Sequence, residues 1–417
     1  MANTLKFGNG IWATQEGSTL AYNDENGNYK PLPFEFERDT NATVVNKNGL
    51  IETVGNNIPR IDFQGNNKGA LLLEPQRTNL VTYSSEFDNA AWVKQEITIS
   101  QNVGISPDGT LNADKIIPSA VSATHQIYAL SLISSQVCAT SVFAKADGIN
   151  TFEILDGAIG TNGVAFDLLN GTFTNKGSGI GSMEYYGNGW YRCISVATTT
   201  GYRIYCPSSS VTASGDGTSG VYLWGAQLEV GSYATSYIPT NGSTVTRVAE
   251  TCNDAGDAST FNDSEGVLMV EISALSETSR ISLNDGTTSN NVRFSYDAGA
   301  NRIDGIVFNG NNQFLGQYTL PTQGSFNKIS LKYKPSDFSL WVNGFKVGSL
   351  VGSGTTFTEG TLSELDFDAG GNGVIPFYGK TSQIQYFDTT LTDAELETLT
   401  SWQSFSEMAN GQNYTII

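Results

Sequence analysis

Histidine is almost missing from this 417-residue chain: His125 is its sole representative. Catalytic triads and most zinc hydrolases lean on histidine, and no G-x-S-x-G, H-E-x-x-H, P-loop or G-x-G-x-x-G context accompanies this one. Within ATHQIYAL it reads as a satisfied surface or edge residue of a strand. Cysteine is scarce as well. Cys138, Cys193, Cys206 and Cys252 fall in no C-x-x-C or zinc spacing. Cys193 and Cys206 flank a turn at 198–201, where two readings stand: a disulfide across a hairpin, or buried thiols acting as small hydrophobes. Charged residues make up only 15% of the chain, below the roughly 25% of ordinary soluble domains. The balance is acidic, 22 basic against 41 acidic residues for a net charge of -19, and the acids are spread along the chain. That excludes electrostatic capture of nucleic acid or anionic lipid. No run of about 18 apolar residues is present, so no membrane span is expected. Residues 1–20 lack the basic start and apolar core of a secretory signal. No repeat of roughly 20–50 residues recurs, which argues against a β-helix or a propeller.

What fills the chain is glycine, small polar residues and aromatics. It holds 45 Gly, 18 Tyr, 21 Phe and 6 Trp. Short runs of Val, Ile, Thr and aromatics recur every 8–12 residues or so, separated by Gly, Asn, Asp and Ser. That spacing predicts an all-β chain of two tandem β-sandwiches, jelly-roll or concanavalin-like, rather than alternating βα units. The expected boundaries are a β-rich N-terminal leader at 1–80, a first sandwich at 81–250, a Gly/Asp-rich linker at 251–264, a second sandwich at 265–400 and a tail at 401–417. In the leader, Phe34 and Phe36 alternate with Glu35 and Glu37, as on a half-buried strand. Asn343-Gly344, between FSLWV and FKV, is the sharpest hairpin signal, because both residues tolerate positive φ. One helix is expected, at 392–400, where Thr392 and Glu395 have the spacing of a capping box.

Candidate chemistry is thin. Glu35/Glu37 and Asp366/Asp368 are i,i+2 carboxylate pairs of the kind a glycosidase requires, but such pairs are common on acidic strands, and a protein without enzymatic activity is expected. Asp366, Asp368 and Asn372 place oxygen ligands on a Gly-rich loop, a set that suits calcium; the other reading is a plain glycine-rich turn, and no other cofactor is indicated. Sugar binding calls for exposed aromatic faces beside polar hydrogen-bonding groups. Tyr185, Tyr186, Tyr202 and Tyr205 are the candidates, with at most one of the adjacent pair Tyr185/Tyr186 facing the core. Trp190, Trp224 and Trp341 read as core anchors.

Three stretches form a recognisable pattern. LLLEPQRTNLVTYSSEFDNAAWV at 71–93, GNGWYR at 187–192, and WGAQLE followed by TSYIPT at 224–240 resemble a module of bacteriophage tail-fibre and head-fibre proteins. LIETVGNNIPRIDF in the leader is similar to segments of phage proteins of that type. The hairpin LWVNGFKVG and the strand FYGKTSQIQYFDTTLTDAEL are similar to laminin-G/concanavalin-like domains. The resemblance implies a carbohydrate-binding-like jelly roll followed by a laminin-G-like sandwich. It implies a structural virion protein, a head fibre or tail fibre adhering to host-surface or environmental glycans. The alternatives are a capsid or tail decoration protein without a ligand and, last, a polysaccharide depolymerase. The expected partners are other virion proteins, host glycans and two further copies in a homotrimer, with no nucleic acid and no membrane. The expected location is the virion, after synthesis in a reducing host cytoplasm that would keep cysteines as thiols. The leader is expected to attach the chain to the particle. The shared motifs look structural and designate no ligand residues.

Overall fold

The computed structural model describes residues 4–157, 160–208, 214–371 and 373–416. The chain is all-β with several β-sandwich sheets. It folds as two compact units that are discontinuous in sequence: residues 1–39, 55–75 and 249–417 form one, and 40–54 with 76–248 form the other.

The first unit pairs a large sheet with a five-stranded one. The large sheet runs Thr251–Asn253, Lys30–Glu37, Ser18–Asn23, Leu5–Gly8, Gly379–Phe387, Gly266–Ala274, Asn327–Tyr333, Asp337–Val342, Phe345–Val351. The smaller sheet runs Asn312–Thr319, Arg302–Asn309, Asn290–Asp297, Ser279–Asn284, Glu364–Asp366. One continuous core joins them, with Leu5, Phe7, Phe34, Leu268, Phe294, Leu340 and Tyr386 buried in it. The expected separate leader and linker are therefore corrected. Leu5–Gly8 lies antiparallel on Gly379–Phe387 in the register Leu5↔Tyr386, and Ala70–Leu73 pairs with the start of the same strand. Without these partners that strand would present open hydrogen-bonding groups along one side. Thr251–Asn253 pairs with Lys30–Glu37, and Cys252, Ala255 and Phe261 are core residues. The polar look of 251–264 comes partly from side chains that bond distant backbone, such as the Asp263 carboxylate accepting from the Gly360 and Leu362 N–H groups.

Local signals are realised. Val342 faces Phe345 across Asn343-Gly344, whose φ values are 52° and 87°. Phe34 and Phe36 are buried while Glu35 and Glu37 are exposed. Helix α1 (Asp393–Thr400) starts at the capping box, with Thr392 N–H donating to Glu395 Oε2 at 2.8 Å. A second helix, α2 (Phe405–Gly411), occupies the expected tail; Ser404 accepts from the Glu407 N–H at its start.

A buried ionic cluster ties three segments of this unit together. Glu250 accepts from Arg38 Nη1 at 2.7 Å and Arg60 Nε at 2.8 Å, and also pairs with Arg60 Nη2. Arg60 Nη2 reaches Glu74 Oε2 at 2.9 Å, and the Glu74 N–H donates to Glu250 Oε2. Arg38 further donates to the Gly55 and Ile58 carbonyls. Burial alone would lower the Arg60 pKa, but Glu250 and Glu74 overcome it and hold it above the ordinary value.

The second unit packs two six-stranded sheets. One runs Val93–Gln95, Gln126–Ala129, Tyr202–Tyr205, Thr151–Asp156, Gly163–Asp167, Thr172–Lys176. The other runs Ile97–Ile105, Leu111–Pro118, Gly220–Val230, Gln136–Asp147, Tyr191–Thr199, Ile180–Tyr185. Phe87, Trp92, Ile116, Val142, Phe152, Ile204 and Leu223 fill the space between them. A hairpin from the expected leader, Ala42–Val45 with Ile51–Val54, sends Val45 and Ile51 into a smaller core with Phe143, Trp190, Trp224 and Tyr237. All four cysteines are free and buried.

Candidate functional site

The motif segments of the second unit build one loop and the cleft beside it. The strand Gly220–Val230 lies at the middle of its sheet, paired with Leu111–Pro118 and Gln136–Asp147. From it, Gln227 and Glu229 turn toward the following loop. Glu229 accepts from the Thr235 N–H at 2.8 Å, the Thr235 hydroxyl at 2.6 Å and Gln227 Nε2 at 2.7 Å. Gln227 Oε1 accepts from the Ile238 N–H at 2.7 Å. Arg192 donates to the Thr235 carbonyl at 2.6 Å, and Asn79 donates to the Ala226 and Ile238 carbonyls. Buried polar groups of this kind fix one geometry because leaving any of them unpaired costs free energy. The W-G-A-Q-L-E, G-W-Y-R and T-N-L residues thus act as a frame.

That frame holds Tyr237 and Thr240 over a cavity of about 340 Å³. The Ser84 hydroxyl bonds Tyr237 OH at 2.7 Å and accepts from the Thr240 N–H at 2.9 Å. Thr43, from the 40–54 hairpin, donates to the Tyr237 carbonyl. Trp224 and Tyr237 form an aromatic wall, their centroids 4.7 Å apart. The polar lining is acidic: Glu86, Asp88, Asp108 and Asp114 contribute carboxylates, and among the described residues no Lys, Arg or His lines the cleft, although Lys94 lies beside it and donates to the Asp88 carbonyl at 2.6 Å. Burial would raise Asp108, but hydrogen bonds from Ser106, Thr110 and Asn112 outweigh it and hold the carboxyl below the usual range. Burial pushes Asp114 up, opposed by the Asn102 and Phe87 N–H groups.

Four lining side chains keep a buried polar atom without a hydrogen-bond partner: Glu86 Oε2, Asn112 Oδ1, Trp224 Nε1 and Thr240 Oγ1. Trp224 and Thr240 are each only 4% exposed. Native proteins seldom leave such atoms unpaired, and four of them in residues lining one cavity single it out as a candidate site.

The residues singled out from sequence fare differently. Tyr202 is fully buried and its hydroxyl donates to the Ser141 carbonyl at 2.6 Å. Tyr205, at 8% exposure, is buried too, so neither offers an open face and both are corrected to core residues. Tyr186 is half-buried, edge-on to Phe143. Tyr185 is 56% exposed and borders a shallow cavity with Leu169 and Tyr191. Trp224 is core, as read, and also walls the cleft. His125 is buried rather than at a surface, with Nε2 against the Ser119 carbonyl at 3.1 Å.

The calcium set does not assemble as spaced in the sequence. Asn372 lies outside the described residues. Asp368 is buried and its carboxylate is engaged by the Gly370 and Gly373 N–H groups and by Asn253. Asp366 instead joins Asp254 and Glu364, and their carboxylate oxygens lie within 4.8 Å of one another, the separation a shared cation needs. Asp366 is 2% exposed; burial, with Glu364 and Asp368 nearby, pushes it up to about 7. A raised carboxyl can serve as a general acid, but Asp366 lines none of the cavities described for this chain.

No protein-family model matches the chain, and no curated protein matches it in sequence. Among solved structures, it is similar to the Ruminococcus gnavus IT-sialidase CBM40 bound to α2,3-sialyllactose, with 18% identity over 36% of this chain and 94% of that one, TM-score 0.31. It is similar to a leech intramolecular trans-sialidase complexed with 2,7-anhydro-Neu5Ac, with 18% identity over 34% of this chain and 24% of that one, TM-score 0.30. It is similar to Trypanosoma rangeli sialidase, with 10% identity over 94% of this chain and 84% of that one, TM-score 0.26. The expectation of a chain without enzymatic activity is corrected by this last match, which covers 94% of this chain and 84% of an enzyme. The correction withdraws an exclusion; at these TM-scores it assigns no activity and no ligand.

Proposed function

We propose that the chain is a glycan-binding adhesion protein whose second unit holds saccharide in the cleft between Trp224, Tyr237 and the 84–88 segment. One observation carries this reading: four of the residues lining a single cavity each keep a buried polar side-chain atom without a partner among the described residues. Hydroxyl-rich rings supply the donors that Glu86, Asn112 and Thr240 lack, and an acceptor for the Trp224 indole N–H. The motif resemblance to phage fibre modules supports placing the protein on a bacteriophage particle, as a head or tail fibre, and a trimer suits such a fibre.

A second reading, a decoration subunit packed on other virion proteins, is favoured by the apolar groove around α2. There Phe345, Phe405 and Tyr414 are largely exposed, and apolar patches of this kind often mark protein contacts. Attachment through the first 80 residues is not part of either reading, because those residues are structural in both units. A reconstruction of the particle separates the two: exposed clefts pointing away from the shell fit adhesion, whereas clefts buried against neighbouring subunits fit decoration.

The cleft itself is tested by Thr240→Val. The Thr240 hydroxyl has no partner within the protein, so removing it should leave the melting temperature unchanged or slightly raised. On a glycan array with the full chain, the same substitution should weaken binding about tenfold, the loss of one good hydrogen bond. Unaltered binding by the variant would remove the cleft from the account.

A further inference from the structure

We infer that the cleft selects saccharides bearing a free amine over N-acylated and acidic ones; this rests on the glycan-binding reading above. Every charged side chain lining the cavity is a carboxylate: Glu86, Asp88, Asp108 and Asp114. An anionic sugar would meet four carboxylates, against which Lys94, beside Asp88 and Asp114, sets a single positive charge, and this balance disfavours it. The hydrogen-bonding demand has the same polarity. Of the four unpartnered atoms, Glu86 Oε2 and Asn112 Oδ1 only accept, the Thr240 hydroxyl does both, and the Trp224 N–H alone requires an acceptor. A ligand that presents mostly donors fits this set, and an ammonium group presents three donors and a positive charge.

A bare metal ion answers the demand poorly. Among the described residues, the one group of three or more acidic, His or Cys side chains close enough to share an ion is Asp254, Glu364 and Asp366, in the other unit. The carboxylates of the cleft are too dispersed, and a ligand with separated donors is needed. Because the cleft is read as a saccharide site, the donors are carried on a sugar ring rather than on a flexible polyamine. The resulting ligand class is an amino sugar, such as a glucosamine unit with its nitrogen unsubstituted.

The test is calorimetric titration of the full chain with a β1,4-glucosamine tetramer, its N-acetylated counterpart, 3′-sialyllactose and spermine, at mildly acidic pH where the sugar amine is protonated. The glucosamine oligomer should bind at least about tenfold more tightly than the acetylated one, and sialyllactose should not bind measurably. Raising the salt should shrink the preference. Glu86→Gln and Asp88→Asn should each reduce it severalfold while melting like wild type; Asp88 is exposed, so its variant serves if the first is unstable. Equal affinity for the two oligomers, or tighter binding of sialyllactose, overturns the inference while leaving glycan binding intact. Spermine binding as tightly as the amino sugar overturns the sugar part of it. No binding of any saccharide overturns the glycan reading as well.

Discussion

Glu250→Gln should destabilise the first unit by about 3–5 kcal/mol, the cost of removing one partner from a buried ion cluster. For a unit of this size that is a fall of roughly 10 °C in its unfolding midpoint. Glu250 is the hub: Arg38 and Arg60 both bond its carboxylate, and it accepts the Glu74 N–H. All of these side chains are almost wholly buried. The glutamine keeps the size but removes the charge, leaving two guanidinium groups with Glu74 alone. Because Arg38, Arg60 and Glu250 come from three separate stretches of chain, the loss should appear as release of the N-terminal strands. Denaturant unfolding with hydrogen exchange on Leu5–Gly8 reads both effects. A change below about 1 kcal/mol would show that the cluster specifies register without adding stability, as buried ion pairs sometimes do.

Asp366→Asn should act in the opposite direction above neutral pH. The folded carboxyl titrates at about 7, whereas an unfolded aspartate titrates near 3.9 or so. The folded state therefore holds its proton more tightly, and stability falls as pH rises through the window from about 4 to about 7. The shift corresponds to at most about 4 kcal/mol. Asparagine stays neutral throughout, but it keeps only one acceptor for the two donors that Asp366 serves, Asn284 Nδ2 and the Asp254 N–H, which offsets about 1 kcal/mol. The variant should thus be more stable than wild type by up to about 3 kcal/mol at pH 8, and less stable by about 1 kcal/mol near pH 4. Burial raises Glu364 and Glu271 too, so the difference between the two proteins is the quantity to follow across pH. Parallel curves would show that Asp366 titrates normally.

The contrast between legible and hidden features has a physical cause. Asn343-Gly344 and Thr392–Glu395 are decided by residues within one turn of chain, so their geometry could be read directly from composition and spacing. The alternation of Phe34 and Phe36 with Glu35 and Glu37 likewise reports one buried face. The pairing of Leu5–Gly8 with Gly379–Phe387 has no local signature, because the partners are separated by nearly the whole sequence. The same holds for the 40–54 hairpin, because nothing within it assigns it to the second unit. Tyr202 is a core residue despite its place on a strand, because alternation gives the face of a residue but not whether that face is covered by a second sheet.

The cleft was hidden for a related reason. Its lining comes from four stretches, around Thr43 and Ile51, Ser84 to Asp88, Asn102 to Asp114, and Trp224 to Asn241. Two of these lie inside the quoted motifs, YSSEFD and SYIPT, which were read as structural. Most motif residues are indeed frame, Gln227, Glu229, Arg192 and Asn79 among them, each hydrogen-bonded within the loop network. Ser84, Tyr237 and Thr240 belong to the frame through some atoms and to the cleft through others. Sequence alone offered one signal, the acids and hydroxyls of Ser84-Ser85-Glu86-Phe87-Asp88 set next to each other.

The most direct measurement is titration of the tightest-binding array glycan into full-length wild type and Thr240→Val side by side, with melting curves for both. The account predicts about tenfold weaker binding by a variant that melts no lower than wild type. Equal affinities in two equally stable proteins would contradict it.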